Sequence, residues 1–264
     1  MPELPEVERA RALIEARALG RRIVAVDDRD TYVCRPHAPG EISAALIGRS
    51  LVAAHRRGKT MWVETDGGPV LGLHLGMAGR IVVDGASEGD PIRVTEGSGG
   101  RAASAWERFV LEFEDGGRLV LFDKRRLGRA VLDPDLSKLG PDAAEVSREV
   151  FRARVGRGEA PLKARIMDQS VIAGVGNLLA DEALWQAQLS PLRPARALSD
   201  EELDRLRRAI RAATRRAIQR GGVHTGDLIP HRRREEHCPR CGAELRRATV
   251  AGRTTWWCPE EQPG

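Results

Sequence analysis

The chain has no run of eighteen apolar residues, so it offers no segment that could cross a bilayer as a helix. Its N-terminus lacks the basic segment and apolar stretch of a secretory signal and opens instead on prolines and acids, MPELPEVE. A soluble, cytoplasmic protein is expected. Cysteine is scarce: there are four in 264 residues, Cys34, Cys238, Cys241 and Cys258, three of them crowded into the last tenth of the chain. A disulfide framework would spread them more evenly, so a local metal knuckle is the first expectation. Lysine is the third shortage. Among 43 basic residues only Lys59, Lys124, Lys138 and Lys163 are lysines. Arginine is the default cation, and each lysine marks a position where an amine can be chemically required.

What the chain does have is positive charge, a net +5 with a pI near 9.4, which favours a polyanionic partner such as nucleic acid. After a first helix, IVAVDD, SLVAAHRR, TMWVET and PVLGLHLG read as short strands, and RFVLEF-EDGG-RLVLF as a hairpin. DGASEGDPIRVTEGSGGRAAS, rich in Gly, Ser and charge, reads as a surface loop. Near Asp133 the texture changes. SREVFRARVG, PLKARIMDQ and NLLADEALWQAQL follow a helical period. SDEELDRLRRAIRAATRRAIQRGG adds a Ser199/Glu202 capping box and a Gly221-Gly222 stop. The expected fold is α+β: an antiparallel β domain with a leading helix (1–133), a helical domain (134–222) and a Cys-bearing β-hairpin tail (223–264).

Four constellations can carry chemistry. In the opening stretch Pro5, Glu6, Glu8 and Gly20 are accounted for as helix start, dipole partners and stop. Pro2 and Glu3 are not. Removal of Met1 would leave Pro2 as a free secondary amine, a group whose reference pKa of ~7.7 to 8.0 leaves a useful nucleophilic fraction at neutral pH. In SVIAGVGNLLADE, Gly174 and Gly176 lead into a helix that Asn177 can cap. Its free N–H groups could cradle a phosphate, or the glycines could simply make a tight interhelical turn. HLGMAGR and FDKRRLGR place Met77 and Leu127 as apolar tips beside Arg125 and Arg126, a pairing suited to unstacking a base, or to filling a core beside a solvated turn. The tail, Cys238-Pro-Arg-Cys241 followed by Cys258-Pro-Glu-Glu261, has zinc-ribbon spacing with Glu261 where a fourth cysteine belongs and His237 as a substitute ligand. Trp256 and Trp257 could pack that hairpin without metal.

With MPELPEVE, GRRIVAV, RRGK, HLGMAGR, DKRRLG, LKARIMDQ, GVGNLLADE and the Cys tail in this order, the chain resembles the formamidopyrimidine-DNA glycosylase (Fpg/Nei) family nearly end to end. The resemblance implies an N-terminal β-sandwich, a helix-two-turn-helix domain and a zinc or zincless finger. It also implies duplex DNA as partner, with the damaged nucleotide flipped out, and no cofactor for the chemistry, although Zn(II) can occupy the finger through Cys238, Cys241, Cys258 and Glu261. A monomer is expected.

The family's reaction is Schiff-base formation on an N-terminal proline amine, loss of the base and elimination of both phosphates. Pro2 matches the nucleophile, and Glu3 matches the acid that assists sugar-ring opening. Lys59 matches the basic hairpin residue and Lys163 the lysine near lesion and backbone. Met77, Arg125 and Leu127 match the residues that fill the void, and Asn177 the phosphate clamp. Arg253 matches the finger arginine that grips phosphate and aids the second elimination.

There are departures. Leu127 replaces a phenylalanine wedge, and WERF puts Arg108 at or near the expected phosphate-binding position. Only fifteen residues separate Gly222 from Cys238, a short version of the stretch that includes the family's 8-oxoguanine-capping loop. A non-catalytic binder of damaged DNA is the alternative that needs none of Pro2, Glu3 and Lys59. A zinc-ribbon transcription or RNA-binding factor leaves the N-terminal motifs unexplained.

Overall fold

The computed structural model describes residues 2–89 and 105–264. The chain forms two compact units, one comprising Pro2 and Glu6–Leu136, the other Glu3–Pro5 and Ser137–Gly264.

The first unit is built on two antiparallel sheets. One has the order β1-β7-β8-β5-β6, from β1 (Ile23–Asp27), β5 (Arg80–Val83), β6 (Ala86–Gly89), β7 (Glu107–Phe113) and β8 (Arg118–Phe122). The other has the order β2-β3-β4-β9, from β2 (Leu51–Arg57), β3 (Thr60–Thr65), β4 (Leu71–His74) and β9 (Arg129–Leu132). Alternation decides which face is buried. In β7 Phe109, Leu111 and Phe113 enter the core together with Met61 and Val63 of β3 and Leu71 and Leu73 of β4. Val110 points the other way and joins Val120 and Phe122 in a smaller cluster. Helix α1 (Leu4–Arg17) adds Val7, Ala10 and Ile14 to the main core, a helical spacing that brings one apolar stripe onto the sheets.

Four elements of the first unit are absent from the sequence reading: β5, β6, β9 and a short helix, α2 (Glu41–Leu46). Ala86–Gly89, expected as part of a surface loop, is a strand paired with β5 through an Asp84-Gly85 turn. Both turn residues take positive φ, 49° and 80°, the geometry that Asp-Gly supplies to tight hairpins. The remainder of that expected loop, 90–104, lies outside the described residues. Helix α2 is too short to show a period, and it is secured by the buried Asp28 carboxylate, which accepts from the Gly40 and Ser43 amides at 2.8 and 3.0 Å.

The second unit contains α3 (Arg148–Val155), α4 (Leu162–Met167), α5 (Asn177–Gln186), α6 (Asp200–Arg220) and the hairpin β10 (Arg246–Val250) and β11 (Arg253–Trp257). The capping box of α6 forms as expected: Ser199 Oγ accepts from Glu202 N while the Glu202 carboxylate accepts from Ser199 N, and Gly221 closes the helix at φ 101°. Leu203, Leu206, Ile210, Ala213 and Ala217 of α6 pack with Leu179, Ala180, Ala183 and Leu184 of α5 into one core, which also holds Leu4. Beneath the hairpin, Trp185, Leu228, Leu245 and Trp256 form a separate cluster with Cys238 and Cys258.

Candidate active site and nucleic-acid interface

Helix α5 begins at a glycine turn whose free amides are already occupied. Glu3 Oε1 accepts from Leu178 N at 2.8 Å, and Oε2 accepts from Gly176 N and Leu179 N, both at 3.0 Å. The expected phosphate cradle therefore holds this chain's own carboxylate: a buried anion sits at the positive end of a helix and satisfies donors that would otherwise be orphaned. Gly176 is obligatory for this arrangement, since a Cβ there would lie 2.2 Å from Glu3 Cδ. The turn is braced by Gln169, which accepts from Gly174 N at 2.9 Å and donates to the carbonyls of Met167 and Val175. Leu4 N adds a bond to Gly174 O. Asn177 is the first residue of α5 rather than its cap, which is Gly176.

The side chain of Asn177 is instead turned to Lys163 of α4, whose Nζ donates to Asn177 Oδ1 at 2.7 Å. Lys163 is fully buried and also donates to Thr255 Oγ1 at 2.9 Å. Burial pulls its ammonium below the ordinary lysine value, against the opposing pull of Asp181.

In the first unit the structure brings together the two turns that carry the expected tips. Met77 follows Gly76 in the turn after β4, and Leu127 lies in the turn after β8. A Cβ on Gly76 would lie 2.4 Å from the Leu127 carbonyl carbon, so the absence of a side chain there lets the turns touch. His74 Nδ1 accepts from Gly76 N at 2.9 Å, and burial, aided by the Lys59 ammonium, holds this imidazole below its ordinary value and hence neutral. Lys59 itself stands on the two-residue turn between β2 and β3, after Gly58 with φ 60°.

Sequence reasoning missed Asp123, which organises the second turn. Its buried carboxylate accepts from Arg125 N at 2.9 Å and from Leu127 N and Gly128 N, both at 2.7 Å. An aspartate opening a turn that ends in glycine, D-K-R-R-L-G, was the available signal. Arg125 is left exposed. Arg126 is bound to Asp30 at 2.7 and 2.9 Å, and Arg108 donates to Asp123 O at 2.8 Å with Asp30 3.6 Å away.

In the finger, Ala251 and Gly252 form the tip with φ 48° and 70°, and the exposed Arg253 follows directly. The sulfurs of Cys238, Cys241 and Cys258 lie within 4.8 Å of one another. No fourth His, Cys, Asp or Glu joins them among the described residues. Glu261 does not take the fourth place expected for it: its carboxylate accepts from Gln188 and Arg240, both at 2.9 Å. The exposed His237 does not join the cluster either. The three thiols can gather a soft cation, but the closed four-ligand set of a structural zinc site is incomplete. The cluster has internal partners of its own, for Cys241 and Cys258 are 3.4 Å apart and the Trp185 indole N–H donates to Cys238 Sγ at 3.3 Å. Burial pushes the Cys258 thiol up to about 12.

The family model described as Formamidopyrimidine-DNA glycosylase N-terminal domain matches residues 1–130, and the one described as Formamidopyrimidine-DNA glycosylase H2TH domain matches 139–227. The formamidopyrimidine-DNA glycosylase of Roseiflexus sp. (strain RS-1) is 36% identical over 287 residues, covering 99% of this chain and 100% of that protein. Among solved structures, MutM (Fpg) from Thermus thermophilus is similar with a TM-score of 0.79 at 33% identity, covering 99% of this chain and 98% of that one. The Lactococcus lactis Fpg in complex with DNA containing an abasic site is similar with a TM-score of 0.81 at 26% identity, covering 99% and 100%.

The unfilled fourth position and the tryptophan-lined cluster generate a prediction about metal content. Elemental analysis of protein purified without added metal should find well under one zinc per chain. A full equivalent whose removal by chelator abolishes DNA binding would refute it.

Proposed function

Because the chain belongs to the formamidopyrimidine-DNA glycosylase family, we propose that it removes oxidised or ring-opened bases from duplex DNA and then cleaves the abasic strand, using the Pro2 amine as nucleophile. The observation that carries this reading is the seating of Glu3 by three amides of the α5 turn, one peptide bond from Pro2. A rigidly held neighbour fixes where the terminal amine starts, and effective molarity depends on that.

In this reading the unprotonated Pro2 nitrogen attacks C1′ of the flipped nucleotide. The C1′–N bond forms, the glycosidic bond breaks and the base departs with a proton. Ring opening, with the Glu3 carboxylate taking the proton of the attacking amine and passing it to the sugar oxygen, gives the iminium. Loss of a C2′ proton expels the 3′ phosphate, a second elimination expels the 5′ phosphate, and hydrolysis frees the enzyme. Lys59, on its tight turn, supplies a cation to the reacting strand. Asn177 and Arg253 serve the phosphate backbone, with Arg253 also assisting the second elimination. Lys163, expected beside lesion and backbone, is fully buried with its donors spent inside the protein, and it orients Asn177 instead. Met77, Arg125 and Leu127 fill the space left by the flipped nucleotide, and Arg108 binds phosphate. No cofactor takes part. Among the described residues no helix is long and apolar enough to cross a membrane. We place the protein in the cytoplasm, at the nucleoid, as a monomer.

Borohydride reduction during reaction with abasic-site DNA tests the nucleophile. The unaltered chain should be trapped covalently, and Pro2→Gly or an uncleaved N-terminal tag should abolish trapping while duplex binding persists. Undiminished trapping in either would remove Pro2 from the mechanism.

Substrate range follows from the short segment after Gly222. Its residues form 3-10 turns at Val223–Thr225 and Ile229–His231 and are tied down to α5, where Glu182 accepts from Leu228 N at 2.8 Å. A segment packed in this way is poorly suited to closing over an everted purine, and discrimination through hydrogen bonds to its edge should be weak. Single-turnover cleavage should be faster for abasic sites, formamidopyrimidines and saturated pyrimidines than for 8-oxoguanine opposite cytosine. Equal rates for 8-oxoguanine and the formamidopyrimidine would contradict this.

A further inference from the structure

The interior of the second unit holds an ionic cluster centred on Asp181, a residue to which the mechanism above gives no role. Asp181, one turn after Asn177 on α5, has a fully buried side chain. Its Oδ1 lies 2.7 Å from Lys163 Nζ, and its Oδ2 accepts from Arg232 Nε at 2.8 Å and from Trp256 N at 3.2 Å. Arg232 extends its fork to Thr254 O at 3.1 Å, and Lys163 reaches the same carbonyl at 3.3 Å. One carboxylate thus connects α4, α5, the segment after α6 and finger strand β11. It does so beside two of the residues assigned to the phosphate backbone: Asn177 lies four positions before it on α5, and Arg253 immediately precedes Thr254.

We propose that Asp181 and Arg232 are positioning residues that set Asn177 and Arg253 as one grip on the DNA backbone, an inference that rests on the phosphate-binding roles proposed above. The first half follows from the chemistry of donors. An ammonium has three N–H donors and no acceptor, so the Asn177 atom facing Lys163 is the carbonyl oxygen, and the amide NH2 faces away from it as a donor pair. That orientation lasts as long as Lys163 stays charged. Burial works against both charges, pulling Lys163 down and pushing Asp181 up, and the pairing of Asp181 with Lys163 and Arg232 opposes it. Without Asp181 a neutral amine could accept as well as donate, and the Asn177 amide would no longer be held one way round.

The second half follows from geometry. Trp256 N and Thr254 O are bound by the Asp181–Arg232 pair, so the backbone of β11 on either side of Thr255 is tied to α5. The exposed Arg253 side chain, one residue before Thr254, inherits that register. Breaking a buried charge network by removing one partner leaves the others uncompensated, so the effect should extend beyond the mutated residue.

The test is equilibrium binding of a labelled duplex containing a tetrahydrofuran abasic analogue, measured across a salt series for Asp181→Asn, Asn177→Ala, Arg253→Ala and the two double variants carrying Asp181→Asn. The account expects Asp181→Asn to bind about tenfold more weakly, the order expected for a lost charge-assisted hydrogen bond. The slope of log affinity against log salt should fall in magnitude by about one, the signature of a lost phosphate contact. Each double variant should bind no more weakly than the weaker of its parents, because the positioning residue and its target act as one unit. A general loss of stability changes neither the salt slope nor additivity in this way. Unchanged affinity and slope in folded Asp181→Asn, with both targets showing losses, would overturn the positioning role alone, as would losses that add in full. If Asn177→Ala and Arg253→Ala bind like the unaltered chain, the phosphate-grip reading fails and this inference falls with it. Should Asp181→Asn not fold, Arg232→Gln, which keeps the Asp181–Lys163 pair, carries the same expectations for Arg253.

Discussion

The interaction on which the arrangement depends is the docking of one carboxylate onto one helix end. Glu3 accepts from Gly176, Leu178 and Leu179, and each such bond to a charged acceptor contributes about 1.5 to 3 kcal/mol. A chain terminus would otherwise fray. Here the third residue is held by the fold, and Pro2 is consequently joined to a fixed point. The same contact explains why the glycine turn has to be glycine: side-chain volume at Gly176 and the Glu3 carboxylate cannot share the space. It also explains why that turn does not offer its amides to an external phosphate, which leaves backbone binding to side chains such as Asn177.

The same device recurs. Asp28 holds the start of α2, Asp123 shapes the turn bearing Arg125 and Leu127, and Asp181 gathers Lys163, Arg232 and the amide of Trp256. In a chain with an excess of arginine these buried acids are the organising groups, and the exposed arginines are what they organise. Buried carboxylates are costly unless their oxygens are engaged; Asp28 and Asp123 meet that condition with backbone amides, whereas Asp181 Oδ1 has the Lys163 charge beside it but no hydrogen bond among the described residues. Function then depends on donors presented outward from turns made rigid by acids facing inward.

Much of this was legible in the chain because it is local. The Ser199/Glu202 box, the Gly221 stop and the β7–β8 hairpin are each specified within a few residues. The Asp84-Gly85 turn was equally local, but it was obscured by the Gly- and Ser-rich stretch that follows it. What local reading could not reach was the arrival of distant groups. Nothing near Gly176 announces that a carboxylate 173 positions earlier will take its amide, so the turn read as an empty cradle. Glu261 sits at ligand spacing, yet Arg240 and Gln188 draw its carboxylate aside. Asp181 and Arg232, 51 positions apart, gave no pattern at all.

The central claim is that the docking of Glu3 onto the α5 turn sets the nucleophile. Gly176→Ala tests it directly, because the added methyl displaces the carboxylate while leaving Pro2 and Glu3 chemically intact. The measurement is the single-turnover rate of borohydride trapping on abasic-site DNA, with folding checked by circular dichroism. The account predicts a folded protein of lowered melting temperature whose trapping is slower by more than about tenfold, the scale on which misplacing a reacting group by an ångström acts. Trapping at the unaltered rate in folded Gly176→Ala would contradict it.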